Sequence, residues 1–498
     1  MSQAQPKGTL FGHPTGLYVL FTSEMWERFS YYGMRALLVL TLVEATNSMN
    51  PGFGMTSGDA LLIYGYYTSL VYFTPLIGGW LADNFLGQRT SILWGGVLMA
   101  AGQFTLFAAT PHSLPLFYVG LGLIIAGNGL FKPNISTIVG DLYPQGDARR
   151  DSAFSIFYMG INLGAFLAPL ITATLGESAE YGWRWGYFAA GVGMSLAVVT
   201  QGLFFQRFLG DVGKVPGAKL SAQKSGGVQK PLTTEERDRL RVILSLFVFV
   251  TVFWLAFEQA GGLMNIFASE YTDRMIGDTE VNAGYFQSLN PLFILIFAPL
   301  FAALWVGLSK RDKSPDAPIK IIAGLVLTAI GFGFLVVGVY EIQATGKSSM
   351  IWLVLAYLFH TLGELCISPV GLSLMTKLAP LRLASLVMGI WFLMPALAQL
   401  LAGWVGAFSD TADKYEGVRN FVAQFGIEAQ FAGLFVVFAG IAVGLLVFGV
   451  VLWLVSGKLV DWMHGAERMD PTDTTTALEQ ELEVVGEHDA IRPDVPKG

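Results

Sequence analysis

Four ionisable side chains interrupt what would otherwise be an apolar run: Glu24, Glu27, Arg28 and Arg35 in Glu24-Met-Trp-Glu27-Arg28-Phe-Ser-Tyr31-Tyr32-Gly33-Met-Arg35. With its apolar flanks this stretch is long enough to cross a bilayer as a helix, which needs roughly 20 residues. At about 100° per residue, Glu24, Glu27, Arg28, Tyr31 and Arg35 share one wedge of that helix, and the remaining faces suit lipid. A charge at the bilayer centre costs about 2.5 to 3.5 kcal/mol on insertion scales, so the wedge must look onto a polar interior. Two uses fit it: a static ion-pair network that holds helices together, or a water-filled pathway in which carboxylates take up and release protons while arginines hold an anion.

Charges recur at membrane depth further along. Lys132 lies in Gly127-Asn128-Gly129-Leu-Phe131-Lys132-Pro133-Asn134, Glu258 in Phe253-Trp254-Leu-Ala-Phe257-Glu258-Gln259, and Glu364 in Gly363-Glu364-Leu-Cys-Ile-Ser368-Pro369. Asn162 and Asn290 add neutral donors and acceptors, as interhelical glue or as ligand groups. The first half thus supplies the cations Arg28, Arg35 and Lys132, and the second half the anions Glu258 and Glu364. A zwitterion with a carboxylate at one end and an ammonium at the other fits between them. Tyr31, Tyr32, Tyr72, Trp254 and Trp391 can line pockets for variable apolar groups or serve as packing.

Positioning these groups requires many membrane helices. Of 498 residues, 53% are hydrophobic and 13% charged, and mean hydropathy is +0.55, which marks an all-α polytopic membrane protein. Apolar windows predict spans over 16–44, 58–82, 88–109, 114–140, 152–176 and 183–207, then 241–269, 281–309, 318–340, 350–378, 383–408 and 430–456. That arrangement divides the chain into a cytoplasmic N-terminus (1–15), a six-helix bundle (16–209), a polar linker (210–240), a second six-helix bundle (241–456) and a tail (457–498). Thr233-Thr-Glu-Glu reads as a helix start just before the second bundle. The first span is expected to stay in place, since no cleavable signal precedes it. Loops after even-numbered spans hold seventeen Lys and Arg against five in the opposite loops, so both termini are expected to be cytoplasmic. The net charge of −7 belongs to the tail, which from Asp461 onward carries ten acidic and three basic residues and is expected to be solvated and mostly disordered.

Prolines fall at corresponding spans of the two halves, Pro75 with Pro291 and Pro299, Pro133 with Pro369, and Pro169 with Pro395. Such matched helix breakers suit a transporter built from two repeats. The loop Gly79-Trp-Leu-Ala-Asp83-Asn-Phe-Leu-Gly87-Gln-Arg89 resembles the signature between helices two and three of the major facilitator superfamily. There Asp83 and Arg89 can cap helix ends or bridge to neighbours as an ionic latch.

More specifically, Glu24-x-x-Glu27-Arg28-Phe-x-Tyr31-Tyr32-Gly33, Phe131-Lys-Pro-Asn134, Phe157-Tyr-x-x-Ile-Asn162-x-Gly, Phe253-Trp-x-x-Phe-Glu258-Gln and Gly363-Glu-Leu-x-x-Ser-Pro369 resemble the proton-coupled oligopeptide transporter (POT) family, over both halves. The resemblance implies a major facilitator fold and proton-driven uptake of di- and tripeptides across the cytoplasmic membrane, with peptide-like drugs as further substrates. It implies that Glu24, Glu27 and Arg28 take part in proton coupling, and that Arg28, Arg35 and Lys132 lie near the peptide carboxylate. It further implies that Glu364, Asn162 and Asn290 receive the amino end, and that Glu258 alternates as the partner of Lys132. Two departures stand out. A span-two histidine of animal and some bacterial members aligns with Gly65, so coupling must rest on carboxylates here, and the linker is too short for the extra helix pair of many bacterial members.

Other classes fit less well. Cys366 is the single cysteine and the five histidines show no metal-ligand spacing, so no disulfide, metal or other cofactor is expected beyond the proton itself. No nucleophile with a base and no phosphate loop appears in the spans, which argues against an enzyme. A relative carrying nitrate or a drug-like compound, and a non-transporting membrane receptor, remain as rivals. Membrane lipid is the expected surrounding, a monomer the expected state, and no nucleic-acid partner is implied.

Overall fold

The computed structural model describes residues 8–466 except 145, 146, 148, 217–231, 312 and 380–383. Most of the linker and the acidic tail from 467 onward lie outside the described residues, so the disorder expected of the tail falls there too. Among the described residues twelve helices are longer than twenty residues, six on each side of the linker. In the first bundle they are α1 (Thr15–Val43), α2 (Ser57–Leu81), α3 (Gln88–Ala108), α4 (Leu114–Asp141), α5 (Arg149–Gly176) and α6 (Trp183–Phe208). In the second they are α7 (Thr234–Phe257), α8 (Leu289–Ser309), α9 (Ala317–Thr345), α10 (Met350–Leu378), α11 (Ala384–Phe408) and α12 (Ala432–Trp462). Apolar length marks ten of the spans at once. α1 escapes that test because of its own charges, and in α11 only Leu393–Phe408 is picked out.

Local chemistry sets several boundaries. α7 opens with a capping box in which Thr233 and Glu236 satisfy each other's exposed N–H groups, as Thr233-Thr-Glu-Glu predicts. Thr56 accepts from the Asp59 N–H at the start of α2, and Gly346 ends α9 in the left-handed region. α12 runs on to Trp462, past the predicted end at 456. The predicted span 241–269 is broken rather than continuous: α7 stops at Phe257, Glu258–Gly261 forms a 3-10 turn, and a short helix, Leu263–Ile266, follows Gly262. Gly262 marks the break, with φ −106° and ψ −105° outside the helical region, and at Gly261 the Tyr64 hydroxyl and the Arg35 guanidinium occupy the space that a side chain would need.

Within the first bundle α1 packs on α5 and α6, and α3 on α4 and α6. In the second, α9 packs on α10 and α12. Between bundles the main pairings are α2 with α11 and α5 with α8, that is, the second helix of each half with the fifth of the other. This exchange is the symmetry that the proline pattern suggests. The α2–α11 crossing is close enough that a Cβ on Gly65 would lie 2.7 Å from the Gly403 Cα. A histidine at position 65 has no room there, which gives the departure from other members a packing reason.

The expected latch takes a different form. Arg89 donates from Nε to the Val212 carbonyl at 2.5 Å and from Nη2 to the Gly210 carbonyl at 3.0 Å, tying the α2–α3 loop to the chain leaving α6. Asp83 is exposed in the turn Ala82–Leu86, so the bridge belongs to Arg89 and backbone carbonyls rather than to an Asp83 ion pair.

Candidate functional site

The charged wedge of α1 is buried as predicted and divides into two clusters. In the first, Arg28 Nε lies 3.2 Å from Glu24 and also pairs with Glu27. Asn128 of α4 donates to the other Glu27 oxygen at 3.2 Å. Two turns along, Arg35 reaches the second bundle: its Nη2 pairs with Glu258 at 2.5 Å and its Nε donates to the Tyr64 hydroxyl at 2.6 Å. The 3-10 break after α7 and the missing side chain at Gly261 let Arg35 come this close.

Lys132 stands between the clusters. Its Nζ is 3.8 Å from the centre of the Tyr72 ring, a cation–π contact, and Arg28, Glu27, Glu24 and Glu258 are its charged neighbours. The expected pairing of Glu258 with Lys132 is therefore replaced in this conformation by Glu258 with Arg35. The cause is reach, since Arg35 projects from the stretch of α1 that faces the broken end of α7, whereas Lys132 rests on α2. Among the described residues Lys132 forms no ion pair.

Between the bundles lies a cavity of about 140 Å³ lined by nineteen residues. Eight of them are sequence candidates: Tyr32, Arg35, Tyr72, Asn162, Trp254, Glu258, Asn290 and Glu364. Asn290 of α8 donates to Glu364 at 2.9 Å and to Thr361 at 3.0 Å, both on α10. Asn162 turns back to the Tyr158 carbonyl of its own helix at 3.0 Å. Tyr32 has Arg28, Arg35, Glu258 and Glu364 as its charged neighbours, so its ring sits between the basic and acidic walls.

Six proton-coupling and substrate candidates lie outside the cavity wall, Lys132 on the Tyr72 ring among them. Trp391 is not part of the cavity wall: its indole lies against Gly371 and fastens α11 to α10. Tyr31 is fully buried behind Tyr32, edge-on to it at 5.3 Å. Glu24, Glu27 and Arg28 are likewise outside the wall and form the neighbouring cluster.

Other wall residues are absent from the sequence candidates. Gln287 donates to the Ala260 carbonyl at 2.5 Å and to the Tyr357 hydroxyl at 3.0 Å, and Tyr357 donates to the same carbonyl at 3.1 Å. These bonds hold the broken segment of α7 to α8 and α10. Tyr357, Thr361 and Glu364 follow an i, i+4, i+7 spacing, so a helical projection of α10 from Glu364 would have found them.

The family model described as PTR2, POT family, matches residues 89–205 and 204–422. The chain belongs to the POT family. Among its relatives, the peptide transporter YePEPT of Yersinia enterocolitica is 36% identical over 455 residues, covering 80% of this chain and 88% of that one. The di-/tripeptide transporter of Lactococcus lactis subsp. cremoris is 34% identical over 448 residues, covering 79% and 89%. A crystal structure of a peptide transporter POT in complex with sulfate superposes with a TM-score of 0.80 at 35% identity, covering 92% of this chain and 98% of that one. A POT variant in complex with alafosfalin also gives a TM-score of 0.80, at the same identity and coverage. The chain therefore has the major facilitator fold of POT transporters, with twelve long helices among the described residues, and the 25 residues between Phe208 and Thr234 are too few for an added pair of spans of roughly 20 each.

Proposed function

We propose that this chain is a proton-coupled symporter that takes up di- and tripeptides, and peptide-like compounds, across the cytoplasmic membrane by alternating access. The carrying observation is that one inter-bundle cavity has in its wall both the Arg35–Glu258 pair and the Glu364–Asn290 pair, with Lys132 on the Tyr72 ring beside it. Relatives named as a peptide transporter and as a di-/tripeptide transporter, at more than a third sequence identity, support the substrate class. The alafosfalin-bound relative supports peptide-like substrates.

In this reading a peptide carboxylate docks against Lys132 and Arg35, and its ammonium against Glu364 with Asn162 and Asn290. Protonation of Glu258 releases Arg35, which frees a cation for the carboxylate and removes a bridge between the bundles. Proton and peptide then each favour the binding of the other. Both termini face the cytoplasm, the protein acts as a monomer surrounded by lipid, and the proton is its coupling ion with no further cofactor. The test is uptake of a labelled dipeptide into proteoliposomes driven by a pH gradient, competed by peptides of increasing length. Uptake should require the gradient and be blocked by dialanine and trialanine. A gradient that drives no uptake, or competition by nitrate but not by dialanine, overturns the assignment.

A further inference from the structure

At the end of the molecule opposite residues 8 and 466, the two bundles are joined by more than side-chain packing. α5 ends at Gly176, and Glu177 reaches across the seam. One of its oxygens accepts the Ala283 N–H and the other the Gly284 N–H, each at 2.7 Å. These N–H groups belong to Ala283–Ser288, about two turns of 3-10 helix that lead into α8. The first N–H groups of a helix find no acceptor within their own helix. Asn282, which occupies the N-cap position, makes no side-chain cap bond, so the acceptor comes from the other bundle.

The surroundings reinforce this. Arg274 Nη1 lies 3.9 Å from Glu177, and Arg274 is itself held by Glu280 at 2.7 Å and by the Val281 carbonyl at 2.5 Å. Thr174 and Tyr285 share a hydroxyl hydrogen bond of 2.6 Å, and Ser288 donates to the Phe166 carbonyl at 2.8 Å. A Cβ on Gly284 would stand 2.7 Å from the Ala173 Cβ, so the approach of α5 to this turn depends on glycine.

We propose that Glu177 is an inter-bundle clasp, a helix cap supplied in trans that is complete only while the bundles are closed at this face and that sets how readily the face opens. The proposal rests on the alternating-access reading above. Opening must leave the Ala283 and Gly284 N–H groups and the carboxylate to water together, so the three groups let go as a unit. None of them touches the cavity wall, and the clasp therefore acts on the conformational equilibrium without contacting substrate.

The test is a spin-label distance between the exposed positions Ala179 and Asp278, each replaced by cysteine in the Cys366→Ala full-length chain in lipid nanodiscs, without substrate. Glu177→Ala removes the acceptor from one side. Gly284→Ala wedges the seam from the other and leaves Glu177 in place, which keeps the test usable if the first variant folds poorly. Each should raise the ratio of the long-distance to the short-distance population about tenfold, equivalent to about 1.4 kcal/mol. Distance distributions of both variants that superimpose on the parent's would overturn the clasp. Because the readout needs no substrate, that failure is separate from any failure of dipeptide uptake.

Discussion

In the proposed cycle, Glu258 and Arg35 are the residues through which one proton would affect both charge and shape, because they form the buried ion pair between the bundles. Each is almost fully buried, and a buried pair broken on one side typically loses about 3 to 5 kcal/mol because a charge is left alone. Glu258→Gln should therefore abolish gradient-driven dipeptide uptake, by at least about tenfold, while exchange of labelled for unlabelled peptide without a gradient persists. Parallel proteoliposome assays of the two modes check this, and unchanged gradient-driven uptake would remove Glu258 from the coupling role. Arg35→Lys should be nearly as damaging, since a lysine cannot reach the Tyr64 hydroxyl and the Glu258 carboxylate at once as the guanidinium fork does. At the acidic wall, capping the amino end should matter more than changing side chains: N-acetyl-dialanine should compete about tenfold less well than dialanine, read as the inhibition midpoint. Most of these residues were legible in the sequence because charge inside an apolar window is rare and costly. Their pairing was not, since Arg35 and Glu258 are 223 positions apart and only the break after α7 decides that Arg35, rather than Lys132, takes the acid.

Helix boundaries were legible for a similar reason: apolar length, prolines and a capping box act locally. The breaks within helices were harder to read, because what makes Gly261 a required glycine is the Tyr64 hydroxyl and Arg35 guanidinium brought from the other bundle. The α2–α11 crossing was likewise hidden, as two glycines 338 positions apart carry no shared signal. Any side chain there should separate the helices. Gly403→Ala should lower stability by about 1 to 3 kcal/mol, as overpacking of a close contact does, and Gly65→His by more, both visible as a lower melting temperature in detergent. At the start of α5, the Arg149 side chain and N–H both donate to Asp147, and these bonds hold the Asp147 carboxyl down at about 2. Since the folded value lies below the unfolded one of about 3.9, this link is fully present above that pH and is lost as pH falls through about 2. Asp147→Asn should accordingly shift the melting temperature by the same amount at pH 6 and pH 8.

At the scale of the whole molecule, the two halves differ in charge but match in architecture. In the cavity wall the first supplies the Arg35 guanidinium and the second the Glu258 and Glu364 carboxylates, so neither half's share of the wall alone offers both charges to a zwitterion. A tetrapeptide should compete far more weakly than a tripeptide if both walls must be contacted together, which the length series will show as a break in inhibition rather than a gradual decline. The crossing of α2 and α11 also has a mechanical consequence. Where most helix pairs interlock through side chains, Gly65 and Gly403 present bare backbone to each other, a smooth bearing with nothing to disengage. Two rigid bodies touching at such a point can roll past one another with little friction, so the bundles can tilt about this contact without first being pulled apart.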